Sequence, residues 1–277
     1  QPFPGIQPHF KSQVDVMTHR GFWHALLGLG FLAGQIFFSP LVYADIADTI
    51  ERIKPSIVVV GTYKKTNSPQ FALRGTGFVM GNGNLVATNA HVVPDSAGPD
   101  DPTLVIQARD AQGQPQVRRA YLANRDREHD LAILRIEGPA LPALTLRNSD
   151  SIREGQNIAF TGFPIGGALG FSPVTHRGMV SSVTPIALPA GNSQQINEKL
   201  IRRLKNGTFN IFQLDATAYP GNSGSPVFDP ESGEVFGIIN MVFVKGTKEA
   251  ALSHPSGISY AIPSRYLSDL LHKAPSQ

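Results

Sequence analysis

The chain has 277 residues, of which 41% are hydrophobic and 16% are charged, so it is long and apolar enough to bury a core, and disorder over most of its length is excluded. It contains no cysteine, which excludes disulfides, cysteine-ligated zinc, iron–sulfur clusters and a thiol nucleophile. The formal net charge of +3, without a basic stripe that alternates with aromatic residues, gives no indication of a nucleic-acid partner.

Residues 1–44 are predicted to contain upstream residues and a secretory signal peptide. Arg20 precedes an apolar stretch from Phe22 to about Phe38, and Val42 and Ala44 provide compact residues at the positions that a signal peptidase recognises. We expect cleavage after Ala44, export to the periplasm or the medium, and no stable membrane span after cleavage. An uncleaved membrane anchor is the alternative that the length of the apolar stretch allows.

The sequence next predicts a short amphipathic helix over 45–54, with isoleucines along one side, and then a first set of strands. These strands are predicted at 56–61, 76–80, 85–88, 104–108, 118–123 and 131–136. The sequence GNGN at 81–84 is typical of a hairpin turn between two of them.

A segment rich in proline and alanine at 137–145 is expected to link the first set to a second. The second set is predicted at 157–161, 178–183, 209–214, 226–228, 234–241 and 257–261. Helices are expected at 192–204 and 263–272. Two groups of six short strands, in a chain with 27 glycines and 22 prolines, predict two antiparallel barrels or sandwiches.

The sequence GNSGSP at 221–226 contains the first candidate for chemistry, Ser223. A nucleophilic serine needs an accessible hydroxyl on a tight turn, with backbone N–H groups nearby to receive a developing oxyanion. Gly221 and Gly224 permit both, because glycine tolerates unusual φ and ψ angles. A strand and not a helix follows the turn, which disfavours an α/β-hydrolase. An ordinary turn between strands is the alternative interpretation.

His91 is the candidate base for this serine, because a hydroxyl is a poor nucleophile until a base removes its proton. It follows the strand predicted at 85–88, and the end of a rigid element is a suitable place for a positioned base. A histidine buried in the core is the alternative. His176, His254 and His272 are expected in loops or near the chain end, without a comparable setting.

Asp130 is the candidate for the carboxylate that orients the base. It lies at the mouth of the apolar strand predicted at 131–136, where a lone carboxylate is uncommon without a partner. Asp126 and Asp110 are more plainly loop residues. The alternative interpretation of Asp130 is that it, too, is an ordinary loop residue. The order histidine, aspartate, serine along the chain is that of the serine proteases built from two barrels.

At these residues the sequence resembles a known family. The sequences TNAHVV, DLAIL and GNSGSP are similar to the three catalytic blocks of trypsin-like peptidases, and the likeness is closest to the HtrA-type branch. Further similar segments lie at 75–78, 162–164, 178–181 and 257–263. The resemblance implies an all-β fold of two six-stranded antiparallel β-barrels, the first within 45–140 and the second within 141–277, with a C-terminal helix.

The resemblance also implies how the site residues act. Ser223 is expected to be the nucleophile, His91 the general base and acid, and Asp130 the orienting carboxylate, while the N–H groups of Gly221 and Ser223 form the oxyanion hole. We therefore expect an exported serine endopeptidase that forms an acyl-enzyme on protein or peptide substrates. No cofactor, no metal and no PDZ module are expected.

The same resemblance places the primary specificity pocket. Thr217 and Ala218 are expected at its base, and Ile239, Asn240 and Met241 at the opposing wall. Because the base lacks a carboxylate and Met241 narrows the pocket, small or medium aliphatic side chains are the expected substrates.

Two other classes of function remain open from the sequence alone. The first is a peptide-binding module on the same fold whose triad is silent. The second is a β-rich adhesion or carbohydrate-binding protein, which would have no use for His91.

Overall fold

The computed structural model describes residues 45–95, 98, 100–110, 112–167, 171–185, 209–241 and 257–273. The strands of its first half are β1 (Ile57–Tyr63), β2 (Phe71–Met80), β3 (Leu85–Asn89), β4 (Thr103–Arg109), β5 (Pro115–Asp126) and β6 (Leu131–Ile136). Those of its second half are β7 (Asn157–Gly162), β8 (Val174–Pro185), β9 (Asn210–Asp215), β10 (Pro226–Phe228), β11 (Val235–Ile239) and β12 (Ile258–Pro263). The α-helices are α1 (Ile46–Ile53) and α2 (Ser264–His272).

Each set of six strands closes into an antiparallel barrel. The strand order is β1-β2-β3-β6-β5-β4 in the first barrel and β10-β11-β12-β9-β8-β7 in the second. This confirms the expected pair of six-stranded barrels. The segment at 137–145 forms no strand, and single bridges join Leu144 to Met80 of the first barrel and Leu146 to Val235 of the second.

The strands are almost wholly apolar where both of their faces are covered. In β1, Val58 and Val60 pack inside the first barrel, whereas Ile57 and Val59 belong to a cluster that also contains Phe228 of the second barrel. Because successive side chains of a strand point to opposite faces, one face fills a barrel and the other packs between the barrels. The β11 strand divides in the same way between the second barrel and the shared cluster.

Both α-helices are hydrogen-bonded to loops of the second half. In α1, Thr49 is buried and its Oγ1 donates to the carbonyl oxygen of Glu231 at 3.1 Å. In α2, Leu267 and Leu270 are buried in the shared cluster, and Ser264 Oγ donates to the carbonyl oxygen of Arg147 at 2.6 Å. This confirms the helix predicted at 263–272.

The structure corrects two details of the sequence analysis. β2 begins at Phe71 and not at residue 76, and β8 covers Val174–Pro185, so His176 lies in a strand and not in a loop. The signal peptide predicted within 1–44, the helix predicted at 192–204 and His254 lie outside the described residues. No helix within the described ranges is long and apolar enough to cross a membrane.

Candidate active site

His91 lies in a 3₁₀ helix, Ala90–Val92, that directly follows β3. Ala90 and Val92 are buried on either side of it, whereas the histidine side chain is 34% exposed. A rigid strand and two buried neighbours therefore fix the backbone of a histidine whose ring faces solvent.

Asp130 precedes β6 and has a positive φ of 55°, which is unusual for a residue other than glycine. Such a conformation costs on the order of 1–3 kcal/mol and persists only where neighbouring groups hold it. Here the Asp130 carbonyl oxygen accepts hydrogen bonds from the backbone N–H of Ala90 at 3.0 Å and from Asn89 Nδ2 at 3.1 Å. The histidine-bearing segment therefore holds the aspartate in its strained conformation.

The buried carboxylate of Asp130 accepts three hydrogen bonds. Its Oδ1 accepts from the backbone N–H of His91 at 2.9 Å, and its Oδ2 lies 2.6 Å from His91 Nδ1 and 2.8 Å from Asn240 Nδ2. Because an ionised carboxylate can only accept, the histidine proton lies on Nδ1 and Nε2 keeps its lone pair. This is the protonation state that a general base requires.

Ser223 lies in a tight turn before β10, between Gly221 with φ of 103° and Gly224 with φ of 89°. Its exposed fraction is 6%, and the neighbouring N–H groups of Asn222 and Gly224 donate to the carbonyl oxygens of Tyr219 and Ile239. In the described part of the chain, the N–H groups of Gly221 and Ser223 donate no hydrogen bond. The turn thus presents two unpaired donors beside the serine.

Thr76 of β2 holds this turn from the first barrel. Its Oγ1 donates to the carbonyl oxygen of Gly221, and its N–H donates to that of Ser223, both at 2.8 Å. Next to it, a Cβ on Gly75 would lie 2.9 Å from the Ser223 carbonyl oxygen and 2.7 Å from Val92 Cγ2. The serine turn and the histidine segment therefore meet at a position that only glycine can occupy without displacing them.

The five residues predicted to line the pocket have different surroundings. Ala218 and Ile239 are buried in the core of the second barrel, Thr217 is half-buried, and Met241 packs against the same core from its edge. Asn240 is fully buried and its side chain contacts Asp130. The assignment of Thr217, Ala218 and Met241 to a specificity pocket stays a prediction.

The sequence alone does not predict the positioning contacts of Thr76, Asn89 and Asn240. One signal was available for Asn240, because a polar residue directly after the apolar strand β11 needs a partner when it is buried. Its contact with Asp130 spans 110 positions of the sequence, so local patterns cannot identify the partner.

His176 of β8 is a half-buried titratable group of the second barrel. Its ring stacks on Phe160 at a centroid distance of 4.8 Å and lies 6.1 Å from the ring of Tyr219, which precedes the serine turn. Its Nε2 is buried and has no hydrogen-bond partner among the described residues. Burial lowers the pKa of His176, because the charged ring would lose its hydration.

We expect His176→Phe to weaken the dependence of stability on pH. In the unfolded chain His176 takes up a proton as the pH falls through about 6.5, whereas the folded protein resists protonation, so the free energy of unfolding falls in this range. Phenylalanine keeps a ring against Phe160 and does not titrate. Denaturant unfolding at pH 8 and pH 5 measures the effect, and an equal loss of stability in both proteins would contradict it.

Comparisons with known proteins agree with this geometry. The profile of the trypsin-like peptidase domain matches residues 75–238. The mitochondrial serine protease HTRA2 of Drosophila willistoni is 31% identical over 209 residues, which are 76% of this chain and 40% of that protein. HTRA2 of Drosophila grimshawi is 30% identical over 236 residues, which are 83% of this chain and 47% of that protein. The chain thus spans less than half the length of these relatives.

A solved structure of similar fold is the HtrA-type protease AlgW with a tripeptide. It matches with a TM-score of 0.58 and 26% identity, over 82% of this chain and 62% of that chain. No group of three or more histidine, aspartate or glutamate side chains within the described ranges is arranged to hold a metal ion.

Proposed function

Because the chain belongs to the trypsin-like peptidase family, we propose that it is a serine endopeptidase that uses Ser223, His91 and Asp130 as its catalytic triad. The observation that carries the proposal is the 2.6 Å contact between Asp130 Oδ2 and His91 Nδ1, since it sets the histidine up as a base. The two unpaired N–H groups beside Ser223 support it further. The likeness to HtrA-type proteases supports protein or peptide substrates.

In the first half of the reaction, Ser223 Oγ attacks the carbonyl carbon of the substrate and its proton passes to His91 Nε2. Negative charge develops on the carbonyl oxygen, where the N–H groups of Gly221 and Ser223 stabilise it. The C–N bond then breaks, His91 returns the proton to the leaving amine, and the acyl group stays on the serine as an ester. Asp130 stabilises the imidazolium throughout this half.

In the second half, water attacks the ester and gives its proton to His91. The second tetrahedral intermediate collapses, the carboxylic acid product leaves, and His91 returns the proton to Ser223 Oγ. Each group ends as it began, so the cycle needs no cofactor.

A fluorophosphonate probe tests the proposal, because it forms a bond with an activated serine only. The wild-type protein should be labelled and Ser223→Ala should not. Ser225→Ala is the matched control, because this serine lies in the same turn and its buried Oγ has no hydrogen-bond partner among the described residues. Absence of labelling in the wild type, together with binding of a peptide, would instead support a silent peptide-binding module.

We expect cleavage after small or medium aliphatic residues. No carboxylate lies at the predicted base, Thr217 and Ala218, so a lysine or arginine side chain would lose its hydration without gaining a partner. An aliphatic side chain gains about 0.8 kcal/mol per buried methylene. A peptide-library digest measures this preference, and cleavage mainly after Lys, Arg or Glu would contradict it.

Met241→Gly tests the wall of the same pocket. It should shift cleavage toward larger residues such as Phe while labelling of Ser223 by the probe stays intact. Unchanged residue preference would place Met241 outside the pocket.

We also propose that the protein is exported, on the basis of the signal-peptide pattern within residues 1–44. The N-terminal sequence of the protein purified from its own cells tests this. It should begin at Asp45, and a protein that retains the apolar stretch would be anchored instead.

A further inference from the structure

A second histidine–carboxylate pair lies in the turn between β5 and β6, directly before Asp130. His129 Nδ1 lies 2.7 Å from Asp126 Oδ2. Asp126 Oδ1 also accepts hydrogen bonds from the backbone N–H groups of Glu128 at 2.9 Å and of His129 at 3.0 Å. The Asp126 carboxylate therefore fixes both the backbone of this turn and the orientation of the His129 ring.

The His129 ring packs between two aromatic side chains of the second half of the chain. It stacks on Tyr266 of α2 with a centroid distance of 4.1 Å and an angle of 18°, and it meets Phe209 edge-on at 4.6 Å. Phe209 and Tyr266 also contact each other, with centroids 5.3 Å apart. Three mutually packed rings thus join the turn before Asp130 to the C-terminal helix.

The tyrosine of this cluster is itself held in place. Arg265 donates to the Tyr266 hydroxyl at 2.6 Å and forms an ion pair with Asp150 at 2.9 Å. One helical turn further, the Leu270 carbonyl oxygen accepts a hydrogen bond from Asn124 Nδ2 of β5 at 3.1 Å. The helix is therefore attached to the β5–β6 hairpin at two places.

We propose that His129 is a positioning residue for catalysis, through which α2 fixes the conformation of Asp130. This rests on the proposed function. Two contacts hold the strained backbone of Asp130. On its C-terminal side, its carbonyl oxygen accepts a hydrogen bond from the segment that bears His91. On its N-terminal side, the neighbouring residue His129 is fixed by stacking on Tyr266. Without the stacking of His129 on Tyr266, we expect Asp130 to relax toward commoner backbone conformations, so that its carboxylate loses alignment with His91 Nδ1.

The consequence for catalysis is specific. Misalignment weakens the stabilisation of the imidazolium but leaves the specificity pocket and the oxyanion hole in place. We therefore expect His129→Ala to lower kcat about tenfold with little change in KM, since it removes one aromatic stack and one hydrogen bond.

Two further variants test the two rings of the His129–Tyr266 stack separately. Tyr266→Ala changes only α2 and should reproduce the loss of kcat with little change in KM. His129→Phe keeps a ring against Tyr266, so it should retain more activity than His129→Ala, and it carries the test if the alanine variant does not fold. His272→Ala is the control, because this exposed histidine lies on the same helix, where its Nδ1 is hydrogen-bonded to the Ser268 carbonyl oxygen, and the variant should leave both kcat and KM unchanged.

The outcomes are distinguishable. A lower melting temperature with wild-type kcat and KM in both His129→Ala and Tyr266→Ala would overturn the inference and make His129 a stabilising residue only. A wild-type protein that neither hydrolyses peptides nor reacts with the fluorophosphonate would overturn the proposed function instead.

Discussion

Replacing Ser223 by alanine should reduce turnover by about 10⁵–10⁶-fold, and His91→Ala should have a similar effect. Alanine lacks the hydroxyl oxygen that forms the acyl-enzyme. In His91→Ala the serine is present, but no base accepts the proton of its hydroxyl group. The double variant should lose little more than either single one, because the two residues act as one unit. Hydrolysis of a peptide substrate, measured with purified variants, tests this.

Ser223→Ala should fold like the wild type, because the backbone and not the side chain of Ser223 makes the contact with Thr76. A melting temperature close to that of the wild type is therefore the required control. A variant that still hydrolyses peptides at a tenth of the wild-type rate would exclude Ser223 as the nucleophile.

Asp130→Asn should reduce turnover by roughly 10⁴-fold. Both carboxylate oxygens accept hydrogen bonds, Oδ1 from the His91 backbone and Oδ2 from His91 Nδ1 and Asn240 Nδ2. An amide carries donors on one side, so in either orientation its NH₂ group faces another N–H. Because the backbone N–H of His91 keeps its proton, the amide oxygen is favoured beside that N–H and the NH₂ group at the Oδ2 position, where it donates to His91 Nδ1. The imidazole then carries its proton on Nε2 and cannot act as a base.

Asp126→Asn is the matched control for this variant, since it changes a carboxylate four residues earlier that contacts a different histidine. Its effect should be far smaller than that of Asp130→Asn. The opposite ranking would make Asp126, and not Asp130, the carboxylate that orients the catalytic base.

The sequence predicts the barrels well because their strands are bounded by turns and buried on both faces. The run IVVV of β1 and the hairpin turn at 81–84 illustrate both signals, and across that turn Met80 of β2 pairs with Leu85 of β3. Prediction fails where a strand is exposed. β2 begins five residues before the predicted start because residues 71–74 alternate between half-buried and exposed, and β8 carries polar residues around His176.

Of the candidate site, the sequence predicts the pair that the structure brings into contact, His91 and Asp130, because each adjoins the end of an apolar strand. It does not predict Asn240 beside Asp130 or Tyr266 beside His129, because these contacts join distant parts of the chain. The sequence shows that a polar or aromatic residue at such a position needs a partner. Which residue becomes the partner depends on how the barrels close and where α2 docks.

The contacts of Thr76 and Asn240 run in opposite directions between the barrels. Thr76 of the first barrel holds the carbonyl groups of the serine turn, and Asn240 of the second holds the carboxylate of Asp130. Each barrel thus orients a catalytic group that the other barrel carries, so we expect hydrolysis to require both barrels in this arrangement. A partner or a substitution that changes how the barrels dock should therefore lower turnover without altering any residue of the triad, and reversal of that change should restore it.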